Sequence, residues 1–241
     1  MKAFEGSEVG KDALLASLRA HAEADRLVKG TYWSRQGDER GCAVGCSLHD
    51  FRPGQEGEHK LFEPLFGIPG ELAYLEDGIF ESLPVAKAQA WPMRFTSAIP
   101  VGADLTGVVD EFLWWLLAAE DSPMVTYREE VHVARVAALY RRRLGGDEPS
   151  ENDWTAASDA ASDAASDAAS DAAWDAASDA ASDAARAAAS DAASDAASDA
   201  GREAARDAAW AAAWDAAWAA AIEKMAAKVI ELIEACAPES Q

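Results

Sequence analysis

Three cysteines in 241 residues are too few for a disulfide framework, so a reducing, cytoplasmic setting is expected. Basic residues are scarce too, 21 against 43 acidic ones, for a formal net charge of −22. That balance excludes nucleic-acid binding through a basic face and disfavours an anionic membrane surface. The longest strongly apolar run, residues 112–119, is far short of a membrane span. Residues 1–10 are polar and acidic, with no apolar stretch of the kind a signal peptide needs. Phosphate loops, dinucleotide-binding glycine patterns and serine-hydrolase elbows are all missing.

What is present divides into two halves. Residues 1–150 hold 16 basic and 24 acidic side chains, and residues 151–241 hold 5 and 19. Eight of the nine prolines and most of the glycines precede residue 150, and Gly145-Gly146-Asp147-Glu148-Pro149-Ser150 marks the boundary. The expected organisation is a globular domain over 1–146, a linker over 147–153 and an alanine-rich module over 154–241. Apolar spacing predicts helices over 7–29 with Ser7 as cap, 42–49, 71–83, 104–120 and 124–144. A further helix begins at Pro84, and Pro92 kinks or divides it. No segment shows the sustained alternation of a half-buried strand. The expected fold class is all-α.

From Trp154 to Ala221 the chain repeats every four residues without a slip, 17 tetrads of mostly Ser-Asp-Ala-Ala. Alanine makes helix the favoured state. Four residues advance about 400°, so the alanine stripe winds right-handed around the helix and makes no straight coiled-coil seam. Asp159 to Asp183 form a ladder of like charges at i,i+4, each pair costing about 0.2–0.5 kcal/mol, so packing has to help. Gly201 is the one backbone breaker inside the repeat, and a helix-to-helix turn is expected there. Trp210, Trp214 and Trp218 then lead into Ile222, Met225, Val229, Leu232, Ile233 and Cys236 at three- and four-residue steps. That is an amphipathic helix. Its tryptophans are expected to be buried, either on the alanine surface of the preceding helix or on the N-terminal domain. A partner chain is the other candidate, since tryptophans dominate interface hot spots.

Candidate chemistry is sparse. In a helix over 42–49, Cys42, Cys46 and His49 fall within a band of roughly 60°. Three such ligands could hold a transition metal if another segment supplied a fourth, or form a Cys–His nucleophile pair. No other cofactor is expected. The remaining histidines, His21, His59 and His132, have no spacing that marks one as the fourth ligand. The structural reading is simpler: small residues and buried thiols let the segment pack tightly. Glu129-x-x-His132 has the spacing of di-iron bundles, and Glu56-x-x-His59 matches by letter. A solvated helix face explains the first pair better, and Gly57 sets the second in a loop.

Several segments resemble a group of uncharacterised bacterial and phage proteins. They are Thr31-Tyr32-Trp33, Gly41-Cys42-Ala43-Val44-Gly45-Cys46 with His49, Gly67-Ile68-Pro69, Leu75-Glu76-Asp77-Gly78-Ile79-Phe80-Glu81 and Val101-Gly102-Ala103-Asp104-Leu105. The resemblance covers about residues 1–120, and the alanine-rich tail with spaced aromatics is similar in character. It implies no activity and no catalytic residue.

The favoured function is a non-enzymatic interaction or structural protein whose repeat arm serves self-association or binding of another protein. One alternative is a small thiol- or metal-dependent enzyme centred on Cys42, Cys46 and His49. Another is an acidic DNA mimic that inhibits phage-defence or DNA-binding proteins. The mimic is weakened by magnitude: one Asp per tetrad places a charge every ~6 Å of helix, against one per ~1.7 Å of duplex DNA.

Overall fold

The computed structural model describes residues 2–35, 39–125, 130–160 and 196–238, with side chains from 216 in the last stretch. The described residues are helical with no strands, so the fold is all-α. Only the isolated bridges Leu27–Gly41 and Ser34–Arg40 interrupt that pattern. The helices are α1 (Lys11–Glu23), α2 (Ala43–His49), a 3-10 turn (His59–Leu61), α3 (Phe62–Phe66), α4 (Gly70–Ser82), α5 (Val85–Ala88), α6 (Trp91–Ala98), α7 (Val108–Ala118) and α8 (Val131–Leu144). Residues 151–160 form α9, and Ala196–Ala235 is α10.

Helix α4 is the hub, touching α2, α3, α5, α6, α7, α10 and the 3-10 turn. It starts at Pro69-Gly70, where proline's fixed φ of −54° sets the entry. Leu72, Ala73, Ile79 and Phe80 face a core that also holds Phe62, Phe66, Trp91, Phe95 and Phe112. Each large side chain fully withdrawn from water contributes about 1.5–3 kcal/mol. The N-terminal strap closes this core from one side. Ala3 N–H donates to Ala103 O (2.9 Å), Phe4 N–H to Phe66 O (2.7 Å) and Val9 N–H to Leu65 O (2.8 Å). Gly67 ends α3 with φ of 70°, and any Cβ there would strike the Lys2 carbonyl.

These tertiary pairings shift the helix ends expected from sequence. Helix α1 begins at Lys11 because the Val9 N–H is tied to Leu65 O and Gly10 is extended, and the Ser7 hydroxyl donates to Val9 O (3.0 Å) instead of capping. It stops at Glu23, and Asp25 turns the chain with φ of 59°. Helix α7 starts at Val108, after Asp104 Oδ1 accepts from Thr106 N–H (3.1 Å) in a local turn. The division at Pro92 is as expected, with proline in the first turn of α6. The helix expected over 124–144 starts later than Met124: α8 spans Val131–Leu144 with Glu130 as its extended N-cap. Met124 and Val125 lie outside any α-helix, and residues 126–129 lie outside the described residues.

The alanine-rich module is tied to the domain at both of its described ends. Ser150 and Asp153 cap α9 reciprocally: Ser150 Oγ accepts from Asp153 N–H (3.2 Å), and Asp153 Oδ2 accepts from Ser150 N–H (2.9 Å). Helix α9 thus starts inside the stretch read as linker. Trp154 packs on Tyr140 (ring centroids 5.0 Å apart), and Arg142 reaches Asp147 (2.7 Å) and Asp153 (3.4 Å). Arg143 reaches Asp110 (3.2 Å) and Glu148 (3.7 Å), while Arg141 lies over Trp114. Most of the repeat, residues 161–195, lies outside the described residues.

Helix α10 is continuous over 40 residues, about 60 Å at 1.5 Å per residue. It runs straight through Gly201, so the turn expected there is wrong. One glycine costs a helix about 1 kcal/mol. With alanine-rich helix former on both sides and no proline before Pro238, that is too little to end it. Ile222, Ala226, Val229, Leu232 and Ile233 are buried against α4, α6 and α7, and Lys87 pairs with Glu223 (2.5 Å). The amphipathic helix therefore packs on the N-terminal domain. Trp218 departs from the expected burial: it is 56% exposed. The cause is reach, because residues 216–220 are exposed nearly all round and have passed the edge of the core. The side chains of Trp210 and Trp214 lie outside those described.

Candidate functional site

The Gly41–Cys46 segment is built around a backbone crossing. A Cβ on Gly41 or Gly45 would collide with the Tyr32 carbonyl oxygen, so the two glycines let loop 31–33 lie directly on the start of α2. Cys42 N–H donates to Thr31 O (2.7 Å) across that contact. Cys42 is the N-cap, with extended backbone (φ −70°, ψ −176°), and its Sγ accepts from Gly45 N–H (3.5 Å). Because Cys42 precedes the helix instead of forming its first turn, its side chain leaves the face that Cys46 and His49 share.

The expected Cys42–Cys46–His49 convergence is accordingly broken up. Both thiols are buried, Cys42 at 1% exposure. Cys46 Sγ points to the carbonyls of Gly41 (3.5 Å) and Arg26 (3.8 Å). Burial pushes the Cys46 thiol up to about 12. Burial, then the charge of Asp77, pushes Cys42 further still. A nucleophilic thiol needs the opposite shift. His49 instead stacks on Trp33 (3.8 Å, 13°), edge-on to His21, with Nδ1 3.2 Å from Glu56 Oε1. Burial opposes the Glu56 charge, but the Gly54 and Glu56 N–H groups, His49 and Arg35 outweigh it and hold the carboxyl down at about 2. Glu56 and His59 thus serve different neighbours. Glu129 lies outside the described residues, and His132 is half-buried in the first turn of α8.

Cys42 keeps other company. Its Sγ and one carboxylate oxygen each from Asp77 and Glu81 lie within 4.8 Å of one another. Together with Gly30, Thr31 and Tyr32 they line a cavity of about 260 Å³. Asp77 and Glu81 are one turn apart on α4, which places both carboxylates on one side of the helix. The Gly30 N–H donates to both Glu81 oxygens (3.0 Å each). His59 backs Asp77: its Nε2 is 3.3 Å from Asp77 Oδ2, and its Nδ1 is 3.1 Å from Gly57 O. Both His59 ring nitrogens therefore lie within hydrogen-bond distance of an oxygen, which fixes the ring against Asp77. Tyr74 stacks on the far side of the His59 ring (3.8 Å, 9°).

Sequence spacing missed Asp77, Glu81, Tyr32 and His59 as neighbours of Cys42. The available signal was on α4 itself. Glu76 and Asp77 sit at helix positions shared with Leu72, Ala73, Ile79 and Phe80, and a carboxylate on a buried face needs a reason. Comparison with protein-family models, curated proteins and solved structures finds no match.

Proposed function

We propose that the protein is a non-enzymatic interaction protein in which a compact helical domain anchors a long acidic helical arm. One observation carries this reading: α10 is a single 40-residue helix that buries one face of its last turns, Ile222 to Ile233, in the core, while residues 216–220 just upstream are exposed. An anchored helix presents its free length at a fixed angle and loses little freedom on binding, which favours association. The alanine-rich module as a whole contributes negative charge, with 19 acidic against 5 basic residues over 151–241, and Trp218 contributes a large exposed aromatic of the type that dominates hot spots. The partner is a second copy of the chain or a protein with a basic surface. Fluorescence-detected sedimentation of the labelled full chain, in buffer and in cell extract, tests this. Sedimentation faster than the 25.5 kDa chain, slowed by Trp218→Ala, is the expected result. A monomer rate in both media, unchanged by the substitution, would contradict it.

A further inference from the structure

We propose that Cys42, Asp77 and Glu81 form a binding site for one divalent transition-metal cation of the zinc class, between loop 30–32, the start of α2 and α4. Three potential donors from two elements already lie within 4.8 Å of one another. At zinc–ligand distances of about 2.0–2.3 Å, tetrahedral donors stand roughly 3.3–3.8 Å apart, so closure asks for shifts of about 1 Å.

A second, independent observation points to a ligand. Asp77 is 9% exposed, and its Oδ1 is shut off from solvent without any hydrogen-bond partner, while Oδ2 is taken up by His59. A buried carboxylate oxygen left without a partner carries an uncompensated desolvation cost, and a coordinated cation removes it. The Trp33 indole and the Glu76 carboxyl are also unpartnered, but neither lines this cavity.

The surroundings are those of an oriented ligand set. Each donor is fixed by a contact that coordination leaves in place: Asp77 by His59, Glu81 by the Gly30 N–H, Cys42 by the Gly45 N–H. A histidine holding the second oxygen of a ligating carboxylate is a common outer-shell arrangement. The donor chemistry selects the ion. Magnesium and calcium take all-oxygen sites, whereas a sulfur with two carboxylates suits zinc or cobalt. On binding, the Cys42 thiol releases its proton to solvent and the Sγ–metal bond forms. Three protein donors leave a fourth position open to a water in the cavity. Glu81 is half-exposed, so an ion can enter from solvent without unfolding the core.

The test is a titration of the full chain with cobalt(II) alone, followed by displacement with zinc. A thiolate-to-cobalt charge-transfer band that saturates at one equivalent and is erased by zinc is expected. Cys42→Ser should abolish the band, and Glu81→Gln, at a half-exposed position, should weaken binding about tenfold or more. Cys236→Ser should leave the band intact. No band at one equivalent, or a band that survives Cys42→Ser and Glu81→Gln, would overturn the proposal. A band lost with Cys236→Ser would do the same.

Discussion

Glu76 is the most exacting test of how the core is held together. It is 2% exposed, sits on the inner face of α4 between Leu72 and Ile79, and has no hydrogen-bond partner on either carboxyl oxygen. Burial, and then the neighbouring Asp77 charge, pushes its carboxyl well above the usual range. Replacing it by methionine keeps the length and approximate volume and removes the unsatisfied polar group. The Trp91 indole bond to the Glu76 backbone carbonyl (3.0 Å) is untouched. Removing one unpartnered buried group should stabilise the protein by about 1–3 kcal/mol near neutral pH. For a chain of this size that raises Tm by roughly 2–12 °C. The pH dependence has a definite sign. A carboxyl whose pKa is raised on folding contributes stability below its unfolded value of about 4.3, and that contribution is lost as pH rises through the folded value. The advantage of Glu76→Met should therefore be small near pH ~4 and grow towards pH ~7.5. Thermal and urea unfolding followed by circular dichroism at both pH values measures it. A variant less stable than the parent at neutral pH, or an advantage independent of pH, would refute the reasoning.

Gly45→Ala should destabilise by about 3 kcal/mol or more, because its Cβ meets the Tyr32 carbonyl. Gly78→Ala, at an exposed helical position with open space around the added Cβ, should stabilise by about 0.4–1 kcal/mol in the same unfolding assay. Glu56, held at about 2, contributes about 3 kcal/mol above its unfolded pKa, lost as pH falls from ~4.3 through the folded value. Acid titration should show that loss in the parent and not in Glu56→Gln. In the native protein iodoacetamide should reach half-buried Cys236 first and leave buried Cys42 and Cys46 unlabelled. Intact-mass spectra with two or three adducts before unfolding would contradict the buried positions.

What could be read from the sequence was local. The all-α class follows from the absence of alternating strands, Pro69-Gly70 marks a real helix start, Pro92 a real division, and the Ile222–Ile233 spacing identifies a burial face. What escaped was set by distant contacts. Ser7 looks like a cap until Leu65 O takes the Val9 N–H, and the 42–49 helix looks like a three-ligand face until Cys42 takes the capping position. Gly201 reads as a stop, yet one glycine is a small cost in a helix this rich in alanine. Trp218 reads as buried because periodicity assigns a face but not where the opposing surface ends. The Cys42, Asp77 and Glu81 group joins segments more than thirty residues apart, which no local spacing rule links. Its trace in the sequence was acidic residues at core positions of α4.

Amide hydrogen exchange of the full chain tests the division of α10 into anchor and arm most directly. If the core grips the last turns, amides of residues 222–233 exchange only through global unfolding, as slowly as those of α4. Amides of residues 216–220 should exchange faster, by local opening, because those residues are exposed nearly all round. Equal protection along the whole of α10, or rapid exchange over 222–233, would contradict the account.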